Sequence, residues 1–185
     1  MNKTKIGFAS INNITTEEIN TLVKIINDAY RSAEGDLWID SAKRTTFNEL
    51  KTLINNNQII IATNNNQMIG SVKVTRLSDN IAELGMLATA FNHRRLGVGT
   101  KLVNAAENWA KNNGFKIMQL ELLTPKHYIN PSKEVLKRWY TKCGYIHHSI
   151  EPFKSLFPNT YHLLAVECDF NIYHKHSFRQ NFITC

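Results

Sequence analysis

The chain has 185 residues and a mass of 21.2 kDa, with 43% hydrophobic and 20% charged residues, which suits one core and is short for two full domains. Lys and Arg number 22 against 15 Asp and Glu, and the net charge of +7 favours an acidic or phosphorylated ligand without choosing among nucleic acid, membrane and cofactor. Cys143, Cys168 and Cys185 are odd in number and widely spaced, which argues against a disulfide framework and against a CxxC zinc site. A reducing, cytoplasmic setting is the expectation, since Met1 to Ser10 lacks a signal peptide's apolar stretch and no run of about 18 apolar residues could span a bilayer.

A short first strand is predicted over Lys5 to Ser10. Thr15 and Glu18 then have capping-box spacing, and Ile19, Leu22, Val23, Ile26 and Tyr30 recur at helical period up to Gly35. A weaker helix follows over about 42–54, with Phe47, Leu50, Leu53 and Ile54 on one side. Two asparagine triplets, 55–57 and 64–66, punctuate strands at 58–63 and 68–77, and a third strand runs from Ile81 to Thr89. Val98, Leu102, Ala105 and Trp109 mark a helix ending near Gly114, and Phe115 to Leu123 reads as a strand. Strand, helix and strand across 81–123 form a βαβ unit, so its two strands are expected to be parallel. Asn130 and Pro131 open another helix, closed by Gly144, with Val135, Leu136, Trp139 and Tyr140 as its stripe. The last strands are expected at 145–151 and 161–169, as a hairpin through 152–159. The domain is thus read as residues 1–170, with 171–185 a polar, histidine-bearing tail.

The most informative segment is Arg94-Arg95-Leu96-Gly97-Val98-Gly99-Thr100, where a strand gives way to a helix. Glycines allow a sharp turn and close approach to the main chain, and successive N–H groups at a helix start form a nest for an anion. Arg94 and Arg95 add charged donors and Thr100 a hydroxyl, so the segment suits a pyrophosphate. An ordinary glycine-bearing helix start explains the same residues. A Walker A loop, GxxxxGK followed by Ser or Thr, is absent, and so is a GxGxxG dinucleotide fingerprint.

The pattern Arg/Gln-x-x-Gly-x-Gly/Ala resembles the acyl-CoA signature of the GNAT superfamily of N-acetyltransferases. The strand Ala82-Glu83-Leu84-Gly85-Met86-Leu87-Ala88-Thr89 and the helix end Trp139-Tyr140-Thr141-Lys142-Cys143-Gly144-Tyr145 are similar to that family in order and spacing, so the resemblance covers about 81–145. The chain departs from it at Thr89 and Phe91, where valine and proline are common, and at Lys133, where asparagine is common.

The resemblance implies an α/β (α+β) fold with a mixed, mostly antiparallel central sheet, a βαβ acyl-CoA-binding core and flanking helices. It implies acetyl-CoA as acyl donor, no metal, and direct transfer to a primary amine of a small molecule or a peptide. Carried over residue by residue, cofactor contacts fall on Leu87, Ala88, Thr89, the loop Arg94, Arg95, Leu96, Gly97, Val98, Gly99 and Thr100, and on Lys133. Glu83 is the candidate general base and Tyr140 the candidate general acid, against their ordinary readings as a strand carboxylate in a salt bridge and a core tyrosine. Tyr30 and Trp38 are either acceptor-pocket walls or core aromatics. Cys143 reads as a packing residue. His147-His148 and His174-Lys175-His176 lack metal-ligand spacing.

A non-catalytic acyl-CoA-binding module is the alternative from another class. Nucleic-acid binding is not expected, because the lysines are scattered rather than gathered on one face with aromatic platforms. No membrane partner is expected, and monomer and homodimer both remain open.

Overall fold

A computed structural model of the protein describes residues 4–176. Seven strands form one sheet: β1 (Lys5–Phe8), β2 (Ile59–Asn64), β3 (Gln67–Arg76), β4 (Ile81–Thr89), β5 (Ile117–Pro125), β6 (Ile146–Pro152) and β7 (Cys168–His176). Their spatial order is β1-β2-β3-β4-β5-β7-β6, and β4 with β5 is the parallel pair, as the βαβ reading requires. All other neighbours run antiparallel. This is the mixed, mostly antiparallel sheet that the resemblance implies.

The helices are α1 (Thr16–Glu34), α2 (Phe47–Asn55), α3 (Val98–Asn112), α4 (Pro131–Lys142) and the one-turn α5 (Phe153–Leu156). Helix α1 begins at the capping box of Thr15 and Glu18 and buries Ile19, Leu22 and Ile26. Helix α2 begins later than its apolar pattern predicts. Thr46 and Glu49 form a second capping box, and the Asn27 side chain accepts from the N–H groups of Arg44 (2.8 Å) and Thr45 (3.2 Å), which holds the residues before it outside the helix.

Two cores lie on opposite faces of the sheet. Val98, Leu102, Val103, Ala106 and Ala110 of α3 pack with Val72, Val74, Ala82, Leu84, Met118 and Leu120 on one face. On the other, Ile19, Leu22 and Ile26 of α1 and Leu50 and Ile54 of α2 pack with Ile59, Met86 and Ala88. Strand β4 contributes to both because its register against β3 shifts between Ser71 and Lys73, and Met86 carries a positive φ of 49°. The extra residue reverses which side chains face which core.

The C-terminal hairpin differs from its predicted form. Tyr161, Leu164 and Val166 do not form a strand: they pack with Leu37, Trp38, Leu123 and Phe153 in a third small core, and Trp38 bridges Leu164. The strand that follows is Cys168–His176, so 171–176 belong to the sheet between β5 and β6 rather than to a tail. Residues 177–185 of the predicted tail lie outside the described residues. No helix among the described residues is long and apolar enough to cross a membrane.

Candidate active site

The N-terminus of α3 stands apart from those of the other long helices. Thr15, Thr46 and Asn130 cap α1, α2 and α4 with side-chain oxygens, whereas Gly97 precedes α3 with no side-chain hydrogen bond. Its φ of +75° and the φ of +62° at Arg95 are left-handed, so the chain turns sharply at both. Nothing lies within 4 Å of where a Gly97 Cβ would project. The first-turn amides of α3 therefore keep the unsatisfied donors and positive end of the helix dipole that an anion needs. Arg94 rests on the Phe91 ring, 5.2 Å from its centroid, with Nη1 3.4 Å from Ser32 Oγ.

This loop abuts α4. A Cβ on Gly99 would sit 3.7 Å from the Trp139 ring, and Trp139 packs on Tyr140 with ring centroids 4.8 Å apart. Tyr140 is 7% exposed, and burial, reinforced by Tyr30, Cys143 and Glu34, pushes its phenol well above the usual range. No group among the described residues accepts its proton.

Strands β4 and β5 pair over three positions only, Ile81 with Ile117, Ala82 with Met118 and Glu83 with Gln119. Beyond Glu83 they part. From Gly85 through Leu87, Ala88 and Thr89, β4 has no partner on its β5 side, while β5 continues paired with β7. Glu83 thus stands at the fork, 14% exposed, with Lys73 Nζ 3.7 Å from Oε2. Across the fork, Glu121 accepts a 3.3 Å hydrogen bond from Gln119 Nε2, and burial followed by the charge of Glu83 raises its carboxyl pKa. Gln119 Oε1 in turn lies 3.0 Å from Nε2 of His174, itself stacked on His148 at 3.9 Å.

A cavity of about 490 Å³ opens beside the fork between α2 and β3, with Arg44, Lys73, Leu53 and Met86 among its walls. The Arg44 guanidinium stacks over Tyr30, 4.9 Å from the ring centroid. Tyr30 therefore borders the cavity through Arg44. Trp38 belongs to the third core, edge-on to Phe153 at 5.6 Å, with Nε1 donating to Glu34 (3.0 Å).

Fold and fork gather Glu83, Leu87 to Thr89, the 94–100 loop and the helix of Tyr140, but not Lys133 as expected. The Lys133 side chain is 2% exposed, and its ammonium is committed to Glu34 in the interior. Asn130 caps α4 instead, accepting from Ser132 N at 3.0 Å and Lys133 N at 3.3 Å. Arg44, Lys73 and Glu121 carry no motif and escape sequence reading. Period-2 alternation on β5, which sets Gln119 and Glu121 on the face opposite Met118, Leu120 and Leu122, was the one available signal for the last. Among the described residues, no three His, Cys, Asp or Glu side chains gather as a metal's ligands.

The family model described as "Acetyltransferase (GNAT) family" matches residues 19–145. Among solved structures, an aminoglycoside 6'-N-acetyltransferase complexed with coenzyme A is 16% identical with a TM-score of 0.67, over 93% of this chain and 96% of that one. The PaiA N-acetyltransferase of Thermoplasma acidophilum, in complex with coenzyme A, is 16% identical with a TM-score of 0.67 over 95% and 99%. A GNAT family acetyltransferase from Elizabethkingia anophelis with acetyl-CoA bound is 15% identical with a TM-score of 0.60 over 96% and 100%. These likenesses are of fold. No curated protein matches the sequence.

Proposed function

The chain belongs to the acetyltransferase (GNAT) family, and on that premise we propose that it transfers an acetyl group from acetyl-CoA directly to a primary amine of a small molecule or a peptide. The observation that carries the reading is the pairing of an uncapped α3 N-terminus with a β4 strand left open after Glu83. The donor supplies an activated thioester. Main-chain amides of 97–100 and the Arg94 and Arg95 side chains hold its diphosphate, and the open edge at Leu87, Ala88 and Thr89 takes the pantetheine amides as an added strand would.

Glu83 removes a proton from the acceptor ammonium, directly or through a water, so that the neutral amine attacks. The nitrogen–carbonyl bond forms as the carbon–sulfur bond breaks, and the second proton that the nitrogen sheds passes through water to the departing sulfur, leaving amide and free thiol. Tyr140 faces the departing sulfur with its proton in place. Because burial raises its pKa, complete transfer from Tyr140 is uphill, and its contribution is a hydrogen bond to the developing thiolate. That phenol stays protonated beyond pH 10, so it gives the rate no falling limb between about pH 8 and 10.

Calorimetry with coenzyme A and thiol release from acetyl-CoA with an amine panel test this reading. Tyr140→Phe is expected to lower turnover by about 100-fold while coenzyme A affinity stays within about twofold. Unchanged turnover would remove Tyr140 from the mechanism. Binding without release from any amine would leave an acyl-CoA-binding module.

A further inference from the structure

Resting on the acetyltransferase reading, we infer that the acceptor carries an anionic group, a carboxylate or phosphate, beside its amine, and that Arg44 and Lys73 hold it in the cavity between α2 and β3. Arg44 is exposed beside that cavity, fixed by stacking on Tyr30, and makes no close ion pair among the described residues, Glu34 and Glu83 acting on it only at longer range. Tyr30 also engages the guanidinium through a hydrogen bond, and a guanidinium held in plane with further donors to spare is the arrangement that binds carboxylate or phosphate through two hydrogen bonds.

Lys73 supplies a second cation. Its ammonium lies 3.7 Å from Glu83, beyond hydrogen-bond length, so its donors also remain available. The carboxylate on the α2 wall is already used: Glu49 Oε2 accepts from Thr46 N (2.7 Å) and Oγ1 (2.9 Å) in the capping box. The cavity therefore presents two cations against one committed anion. Leu53 and Met86 give it an apolar floor suited to a methylene chain, and about 490 Å³ is the size of a small-molecule site. Glu83, on β4 where it parts from β5, lies 3.7 Å from Lys73 and so places a carboxylate next to that cavity wall. Cations along the cavity wall with a carboxylate beside them match an amino carboxylate or a phosphorylated amine better than a diamine.

Matched pairs separate the alternatives: γ-aminobutyrate against butylamine, lysine against cadaverine, and phosphoethanolamine against ethanolamine, each measured by thiol release. The expected result is a kcat/KM about tenfold or more higher for the anionic member. Which pair shows it distinguishes carboxylate from phosphate. Arg44→Gln should abolish that preference mainly through KM, and Arg44→Lys should keep most of it. Equal rates within every pair would overturn the inference and leave the acetyltransferase reading standing, as would a preference unchanged in Arg44→Gln.

If no amine is acetylated although coenzyme A binds, the acetyltransferase reading falls. The subsite is then decided by calorimetry with γ-aminobutyrate and butylamine on the coenzyme A complex. Saturable γ-aminobutyrate binding, weakened in Arg44→Gln, supports it. Equal or absent binding of the two overturns it.

Discussion

Lys133 and Glu34 neutralise each other in the interior, and Glu34 also accepts from the Trp38 indole, so one carboxylate joins α1, α4 and the third core. Removing one partner of a buried ion pair leaves the other charge without compensation. Lys133→Met is accordingly expected to cost about 3–5 kcal/mol of unfolding free energy by urea denaturation. Coenzyme A affinity of the folded fraction should not change, and a large loss there would return Lys133 to the cofactor site. Sequence reading could not find this pairing, because Glu34 lies 99 positions away and Lys133 sits where a resemblance offers a ready role. Glu121 gives a second residue-scale test. Burial and Glu83 raise its pKa above the ordinary 4.5, so the fold favours its neutral form, and its ionisation opposes folding as pH rises through and beyond that range. Glu121→Gln should therefore raise the melting temperature at pH 8 and leave it nearly unchanged at pH 4. An equal shift at both pH values would refute the electrostatic account.

Among the long helices of the described residues, α3 is the one whose start has no side-chain cap, and the proposed function gives its free amides to the diphosphate of coenzyme A. A carboxylate there would compete for the same amides, so Gly97→Asp should weaken coenzyme A binding by more than about tenfold. The left-handed φ at Gly97 costs a non-glycine residue about 1–2 kcal/mol, which denaturation measures separately. Retained affinity would reject the loop as the phosphate site. Glycines, arginines and the strand-to-helix position made this element legible from sequence. Helix α2 was less so, since Asn27 fixes the chain ahead of Thr46 from 18 residues away. Strand β7 was the least legible. Its two histidines and Lys175 look like those of a tail, yet His174 is 7% exposed against Gln119 and His148, while the apolar run before it serves the third core.

For the whole molecule, the βαβ pattern gave the one parallel pair among the described strands, whereas length and charge only favoured a single core and an acidic or phosphorylated ligand. The cavity between α2 and β3 was not legible, because Arg44, Lys73 and Met86 line one space only when α2 is laid against β3 and β4. The three-position contact of β4 with β5 has a mechanical meaning. Two half-sheets are zipped along a three-position seam, and a guest lying in its open length would complete the zip. Those amide hydrogens between Gly85 and Thr89 that point away from β3 should exchange with deuterium rapidly in the apoprotein and slow by at least about tenfold once coenzyme A is added, with little change in β2. The enzyme's substrate would then be, for a time, one of its own strands.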